Sequence, residues 1–316
     1  MNVAAHITAP NAAGRVCPLD YTYSPSVFAR APDFSAETLY VVGGLYGNIA
    51  ALETIKDMAA REHATIVFNG DFHWFDAEPE WFERIEQCVA PYRALRGNVE
   101  SEIARPGDIG AGCGCAYPEN VSSDVVTRSN EILALLRDVA PQSSRERLGR
   151  LPMHLVAQVE TARIGIVHGD AAALAGWRFA QDELDNSKRR GWLDDIHRAA
   201  KVDVFASTHT CLAALREFSL ASGRLTVINN GAAGMPNFAA SRYGVITRIA
   251  MTPSPHRLLY GVERNGVHID ALAVDYDHDA FLDRFLARWP KASPANASYL
   301  QRIVEGPGYT IAQAHP

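Results

Sequence analysis

Short apolar, β-branched runs recur along this chain, at 39–42, 65–68, 92–95, 164–167 and 203–206, and small or polar residues follow each one. Runs of this kind predict buried strands, and the residues after them fall where strands enter loops. Between the runs the period changes. Ile49, Leu52, Ile55, Met58 and Ala59 recur at helical spacing, so 48–62 is predicted as a helix after the first strand. Asp76 and Pro79 announce a second amphipathic helix reaching Val89, in which Cys88 reads as an ordinary buried thiol. Val126, Ile132, Leu133, Leu136 and Val139 suit a helix over 122–139, and 176–201 is polar and helix-prone. From 225 to 274 short strands dominate, with Arg264-Asn265-Gly266 as a hairpin turn between two of them. A last helix is predicted over 281–289, closed by Pro290. Strands alternating with helices make this an α/β chain.

The strand ends carry an ordered set of short motifs: Gly47-Asn48, Gly70-Asp71, Gly97-Asn98, His168-Gly169-Asp170 and Thr208-His209-Thr210. Each has a plain reading by itself. Gly70-Asp71 could be a capped turn, Asn98 a turn former, and His168 and His209 hydrogen-bonded core histidines. Gly47 and Asn48 suit a tight strand-to-helix turn. Taken together they change the picture, because polar side chains gathered at strand ends of an α/β sheet are where such folds keep their sites. Asp, Asn and two His form an N/O set suited to a divalent transition metal.

In this order the motifs resemble those of the calcineurin-like metallophosphoesterases: Asp-x-His-Gly-Asn, Gly-Asp-x-x-Asp, Gly-Asn-His-Asp/Glu, a lone His-Gly, and Gly-His-Thr-His. The resemblance covers roughly residues 39–231. Residues 1–37, with Pro10, Pro18, Pro25 and Pro32 and little periodicity, read as an extended arm. The resemblance implies a four-layer α/β/β/α sandwich of two mixed sheets, a single domain over 38–316 with insertions at about 101–150 and 172–201. It implies hydrolysis of a phosphate mono- or diester, on a phosphorylated small molecule or nucleotide. One metal would be held by Asp71, Asn98, His168 and His209, a divalent transition metal such as Mn, Fe, Zn or Ni, one per chain.

The positions that would hold a second metal read Gly44, Tyr46 and Cys211. Gly cannot ligate, neutral Tyr is a poor ligand, and Cys ligates only as the soft thiolate. That half of the site is expected to be dismantled or rebuilt, with Tyr46, His73 and Cys211 as candidates to serve it, Cys211 as a ligand. The family's catalytic His is replaced by Val99, and Trp74 stands at the second Asp of Gly-Asp-x-x-Asp. Glu100 either orients Asn98 or touches substrate. His73 acts as a replacement acid or ligand, or is wedged among the aromatics beside it. Asp170 is a helix cap or supports a ligand. Asn229-Asn230-Gly231 stands where the family commonly has Asn-Pro-Gly. The alternative is a non-catalytic descendant that keeps the fold as a ligand- or protein-binding module, which the losses at 44, 46 and 99 favour.

Composition sets outer bounds. The chain has 316 residues, 47% of them hydrophobic, enough for one large packed domain. A formal charge of −6 gives no basic footprint for nonspecific nucleic-acid binding. The first 25 residues lack a basic and then apolar leader pattern, and no apolar run approaches the ~20 residues of a membrane span, so a cytoplasmic protein is expected. Five cysteines, an odd number, do not suggest a disulfide framework. Cys113 and Cys115 could meet Cys211 in a soft-metal or redox site; the preferred reading is that the insertion turns away from the site.

Overall fold

Alternation within the strands decides the layers. In the strand Thr38–Val42, Leu39 and Val41 enter one apolar cluster while Tyr40 and Val42 enter another, as the period of two requires. The computed structural model describes residues 13–107 and 109–316. Its strands in chain order are β1 (Phe34–Ser35), β2 (Thr38–Val42), β3 (Thr65–Asn69), β4 (Arg93–Leu95), β5 (His154–Val159), β6 (Ala162–Val167), β7 (Val204–Ser207), β8 (Ala213–Leu220), β9 (Gly223–Asn230), β10 (Gly244–Ala250), β11 (Leu258–Arg264) and β12 (Val267–Val274). The helices are α1 (Ile49–Glu62), α2 (Pro79–Val89), α3 (Asn98–Ala104), α4 (Ser123–Val139), α5 (Gln142–Arg150), α6 (Gln181–Leu184), α7 (Arg190–Ala200), α8 (His278–Arg288), α9 (Pro294–Glu305) and α10 (Ile311–Ala314).

Two six-stranded mixed sheets result, ordered β1-β5-β6-β7-β9-β8 and β11-β12-β10-β2-β3-β4. Leu39, Val41 and Val67 of one sheet pack on Ile164, Ile166 and Val204 of the other, forming the core between the sheets. The outer face of the second sheet, with Tyr40, Val42 and Phe68, is covered by apolar residues of α1, α2 and α8. The outer face of the first is covered by Leu193 and Ile196 of α7 and by Phe28. This is the four-layer α/β/β/α sandwich. The strands β2, β3 and β4 run parallel, as do β6, β7 and β9. Their carboxyl ends therefore share one edge of each sheet.

Several elements form on local signals. Asn48 caps α1 by accepting from the Ala51 N–H, and Ser122 caps α4 through the Val125 N–H. Asn265 and Gly266, both at positive φ, make the two-residue turn between β11 and β12. Met1–Ala12, the start of the expected arm, lies outside the described residues. The rest of the arm is fixed: Tyr21 and Phe28 are buried, and β1 pairs in parallel with β5.

The helix expected to be last is not. After Pro290, α9 begins at Pro294, ends at Glu305 with Gly306 as its C-cap, and packs against α4. Its Ala295 and Ile303 are buried, with Tyr299 partly buried between them on the same face.

Candidate metal centre

Four loops leave the shared edge and bring polar side chains together. Asp71 follows β3, Asn98 begins α3 after β4, His168 follows β6, and His209 follows β7. All four are buried. Ligand atoms of Asp71, His168 and His209 lie within 4.8 Å of one another. His168 Nε2 stands 3.4 Å from Asp71 Oδ1, 3.2 Å from Asn98 Oδ1 and 3.2 Å from His209 Nδ1.

The protons on these groups are assigned by their outer partners, which are carbonyls and can only accept. His168 Nδ1 donates to the Asn69 carbonyl at 2.8 Å, so in the neutral ring Nε2 carries a lone pair. His209 Nε2 donates to the Cys115 carbonyl at 3.0 Å, which leaves Nδ1 as the lone-pair nitrogen. Asn98 Nδ2 donates to the Cys113 carbonyl at 2.9 Å, which turns Oδ1 inward. With Asp71 Oδ1, four acceptor atoms face one another when both imidazoles are neutral. Such a set of lone pairs suits a cation at its centre. Burial and the adjacent His168 push His209 down to about 3, so it stays neutral. Burial opposes protonation of His168, but Asp71 outweighs it and holds His168 above its ordinary value. The N/O donor set fits a divalent transition ion, whose ligands must be neutral imidazole and carboxylate.

The backbone around this cluster leaves no freedom. A Cβ at Gly97 would run into Asp71 Oδ1 and the His168 ring, so only glycine fits there. Asp71 itself sits at φ +54°, the left-handed region. Glu100 holds that turn: its carboxylate accepts from the Asp71 N–H at 2.8 Å, the Phe72 N–H at 3.0 Å and the Gly97 N–H at 2.8 Å. Glu100 is fully buried and does not line the cavity, so the expectation that it touches substrate is corrected to a positioning role. Asp170 likewise ties its own loop, accepting from the N–H groups of Ala172, Ala173 and Arg178.

His73 points elsewhere. Its Nδ1 lies 3.3 Å from Asp76 Oδ2 and its Nε2 2.8 Å from Glu86 Oε1, and its ring stacks on Phe82 at 3.9 Å. Burial disfavours its charge, yet the two carboxylates outweigh that and lift it to about 9. Both nitrogens are committed behind the site, so His73 is no replacement acid or ligand there.

The other flank of Asp71 is built differently. Gly44 has φ +65°, and a Cβ on it would stand 3.1 Å from the Tyr46 ring. That ring fills the space beside Gly44. The Tyr46 hydroxyl lies 2.9 Å from Cys211 Sγ, which is also 3.3 Å from the His209 carbonyl. Burial pushes both the Tyr46 hydroxyl and the Cys211 thiol up, so each keeps its proton at neutral pH. Among the described residues no cysteine sulfur joins the Asp71–His168–His209 group, contrary to the expectation for Cys211.

The insertion does not turn away, as expected, but folds over the centre. Cys113 and Cys115 are disulfide-paired across Gly114, and their carbonyls hold Asn98 and His209. A cavity of about 240 Å³ opens beside the cluster, reached by Asp71, Asn98 and His209. Its remaining lining includes Tyr117 from the insertion, Trp177 from the loop after β6, and Tyr299 and Arg302 from α9. Sequence reading did not single out these four. Tyr299 and Arg302 had a signal in the Pro294 start and helical spacing of α9; the aromatic insertions had none that was local.

No family model matches the sequence, and no curated protein does. Solved structures do. A hypothetical protein from Pyrococcus horikoshii matches with a TM-score of 0.57 at 16% identity, over 87% of this chain and 99% of that one. A metallophosphoesterase from Sphaerobacter thermophilus matches with a TM-score of 0.54 at 16% identity, over 86% of this chain and 100% of that one.

Proposed function

We propose that this chain, which has the fold of the calcineurin-like metallophosphoesterases, hydrolyses a phosphate ester with one divalent transition metal held by Asp71, Asn98, His168 and His209. The observation that carries the reading is the convergence of Asp71 Oδ1, Asn98 Oδ1, His168 Nε2 and His209 Nδ1, four atoms that accept when both imidazoles are neutral. A divalent ion bound there supplies a Lewis acid for a phosphoryl oxygen and lowers the pKa of water. The protein's own groups do the positioning. Glu100 fixes the turn bearing Asp71, and the carbonyls of Asn69 and Cys115 orient the two imidazoles, as outer partners of metal ligands do. The flank made by Gly44, Tyr46 and Cys211 is read as rebuilt, satisfied by its own protons and holding no second ion. Arg302 is a cationic side chain in the lining of the adjoining cavity, which supports an anionic ligand there.

A second reading, a binding module without catalysis, draws on one observation: Val99 stands where a proton donor would, and His73 is turned away. Metal content by inductively coupled plasma mass spectrometry, measured with hydrolysis of an activated aryl phosphate under added Mn²⁺, separates the two. The expected result is close to one ion per chain, hydrolysis that requires it, and loss of both in His168→Ala. Metal bound without hydrolysis supports the binding module. No metal after loading, or two tightly bound ions, overturns the one-ion centre.

A further inference from the structure

The cavity beside the candidate metal centre has two unlike walls. One presents Asp71, Asn98 and His209; the other presents Trp74, Tyr117, Trp177 and Tyr299 with the aliphatic Val121 and Val125. The aromatic wall begins at a ligand itself, since the Trp177 ring lies 5.3 Å edge-on from His209 and Tyr117 lies 5.9 Å from Trp177. Trp74 and Tyr299 meet edge to face at 6.4 Å. These rings come from separate segments, the loop after β3, the insertion, the loop after β6, and α9. Trp177 is anchored through Nε1 to the Cys115 carbonyl at 2.9 Å. Flat apolar walls converging beside one polar corner suit a planar ligand with a charged end.

Charge narrows the ligand further. Among the described residues Arg302 is the one Arg or Lys in the lining. Two of its nitrogens are already spent, Nη2 on the Cys211 carbonyl at 2.7 Å and Nε on the Pro236 carbonyl at 3.1 Å. A polyphosphate would need more cations than this. The Ser298 hydroxyl, buried in the same lining, has no hydrogen-bond partner and is free to meet a polar substituent.

The leaving group supplies the last constraint. Val99 brings no proton, and the Tyr46 hydroxyl and the Cys211 thiol are engaged with each other at 2.9 Å. An alkoxide, about as basic as hydroxide, would have to depart unassisted. A phenolate, whose parent phenol has a pKa of about 10, departs far more readily.

Resting on the phosphoesterase reading above, we propose that the substrate is an aryl phosphate monoester. Its phosphoryl group lies at the Asp71–His209 wall and its ring among Trp74, Tyr117, Trp177 and Tyr299. In the reaction the oxygen of a water bonds to phosphorus as the P–O(aryl) bond breaks, and the electron pair leaves on the phenolate oxygen. The water's proton passes to solvent, the phenolate takes one from solvent, and the products are inorganic phosphate and a phenol.

The test pairs binding with turnover in the full chain. Tryptophan fluorescence titrations compare phenylphosphonate with methylphosphonate, neither of which can be hydrolysed, and kinetics compare phenyl phosphate with methyl phosphate. Burying one ring predicts phenylphosphonate tighter by about tenfold or more. Tyr299→Ala should lose most of that preference while its affinity for methylphosphonate and its metal content stay unchanged; Tyr299→Phe, which keeps the ring, should retain it. Equal affinity for the two phosphonates overturns the proposal even if the protein hydrolyses esters. Methyl phosphate turned over as fast as phenyl phosphate also overturns it. A retained binding preference without hydrolysis of any ester sinks the phosphoesterase reading instead, and supports the assignment of the aryl pocket.

Discussion

On one flank of Asp71, the side chains of Asn98, His168 and His209 donate outward to carbonyls, so their inward atoms are all acceptors. On the other, Tyr46 and Cys211 satisfy each other at 2.9 Å, and the Tyr46 ring occupies the space beside Gly44. The first flank is buried, and in the second Tyr46 is buried and Cys211 half-buried; both hang from loops that follow strands. They differ in proton count. A cluster whose donors all point away gathers lone pairs that suit a cation, whereas a hydroxyl–thiol pair satisfies itself. Whether polar residues at a strand end form a metal centre is thus decided by what lies behind them as much as by their type.

The sharpest way to break the comparison is to convert one flank into the other. In the triple variant Gly44→Asp, Tyr46→His, Cys211→His, hard ligands replace the satisfied pair. Asp tolerates the left-handed backbone of position 44 better than most residues. The expected outcome is a second ion per chain and faster ester hydrolysis, on the order of 10²-fold, the scale of one restored electrostatic contact in a transition state. Metal counting decides the geometry independently of rate. If no second ion binds, Gly44, Tyr46 and Cys211 do not surround one point.

A smaller effect separates the site from its support. His73→Ala leaves the carboxylates of Asp76 and Glu86 buried without their shared imidazolium. Removing one partner of a buried pair costs roughly 3–5 kcal/mol, so urea unfolding should show a loss of that order with metal content unchanged. A variant of normal stability that loses its metal would put His73 back at the centre.

The smallest effect tests the satisfied flank alone. Tyr46→Phe removes one hydrogen bond, to Cys211, at a cost of about 0.5–1.5 kcal/mol. Ion content and turnover of an aryl phosphate should hardly change, because the raised Tyr46 hydroxyl is a poor acid. A collapse in turnover at normal stability identifies Tyr46 as the proton donor and removes the argument for an easily departing phenolate.

The strands and first helices were legible because their signals are local. β-branched runs such as 164–167 and the spacing of Ile49, Leu52 and Ile55 depend only on near neighbours. The candidate ligand set was legible for a related reason: parallel strands deliver successive carboxyl ends to one edge, so short motifs at 71, 98, 168 and 209 fall together once the sheet order holds. Tertiary structure alone decided the rest. His73 lies two residues beyond Asp71, but the left-handed turn at Asp71 and the waiting carboxylates of Asp76 and Glu86 send it away from the centre. The path of the insertion, which brings the Cys113 and Cys115 carbonyls onto Asn98 and His209, and the docking of α9, which brings Tyr299 and Arg302 to the cavity, follow from packing between segments far apart in the chain. Periodicity records which face of an element is buried, and carries no record of the distant surface that buries it.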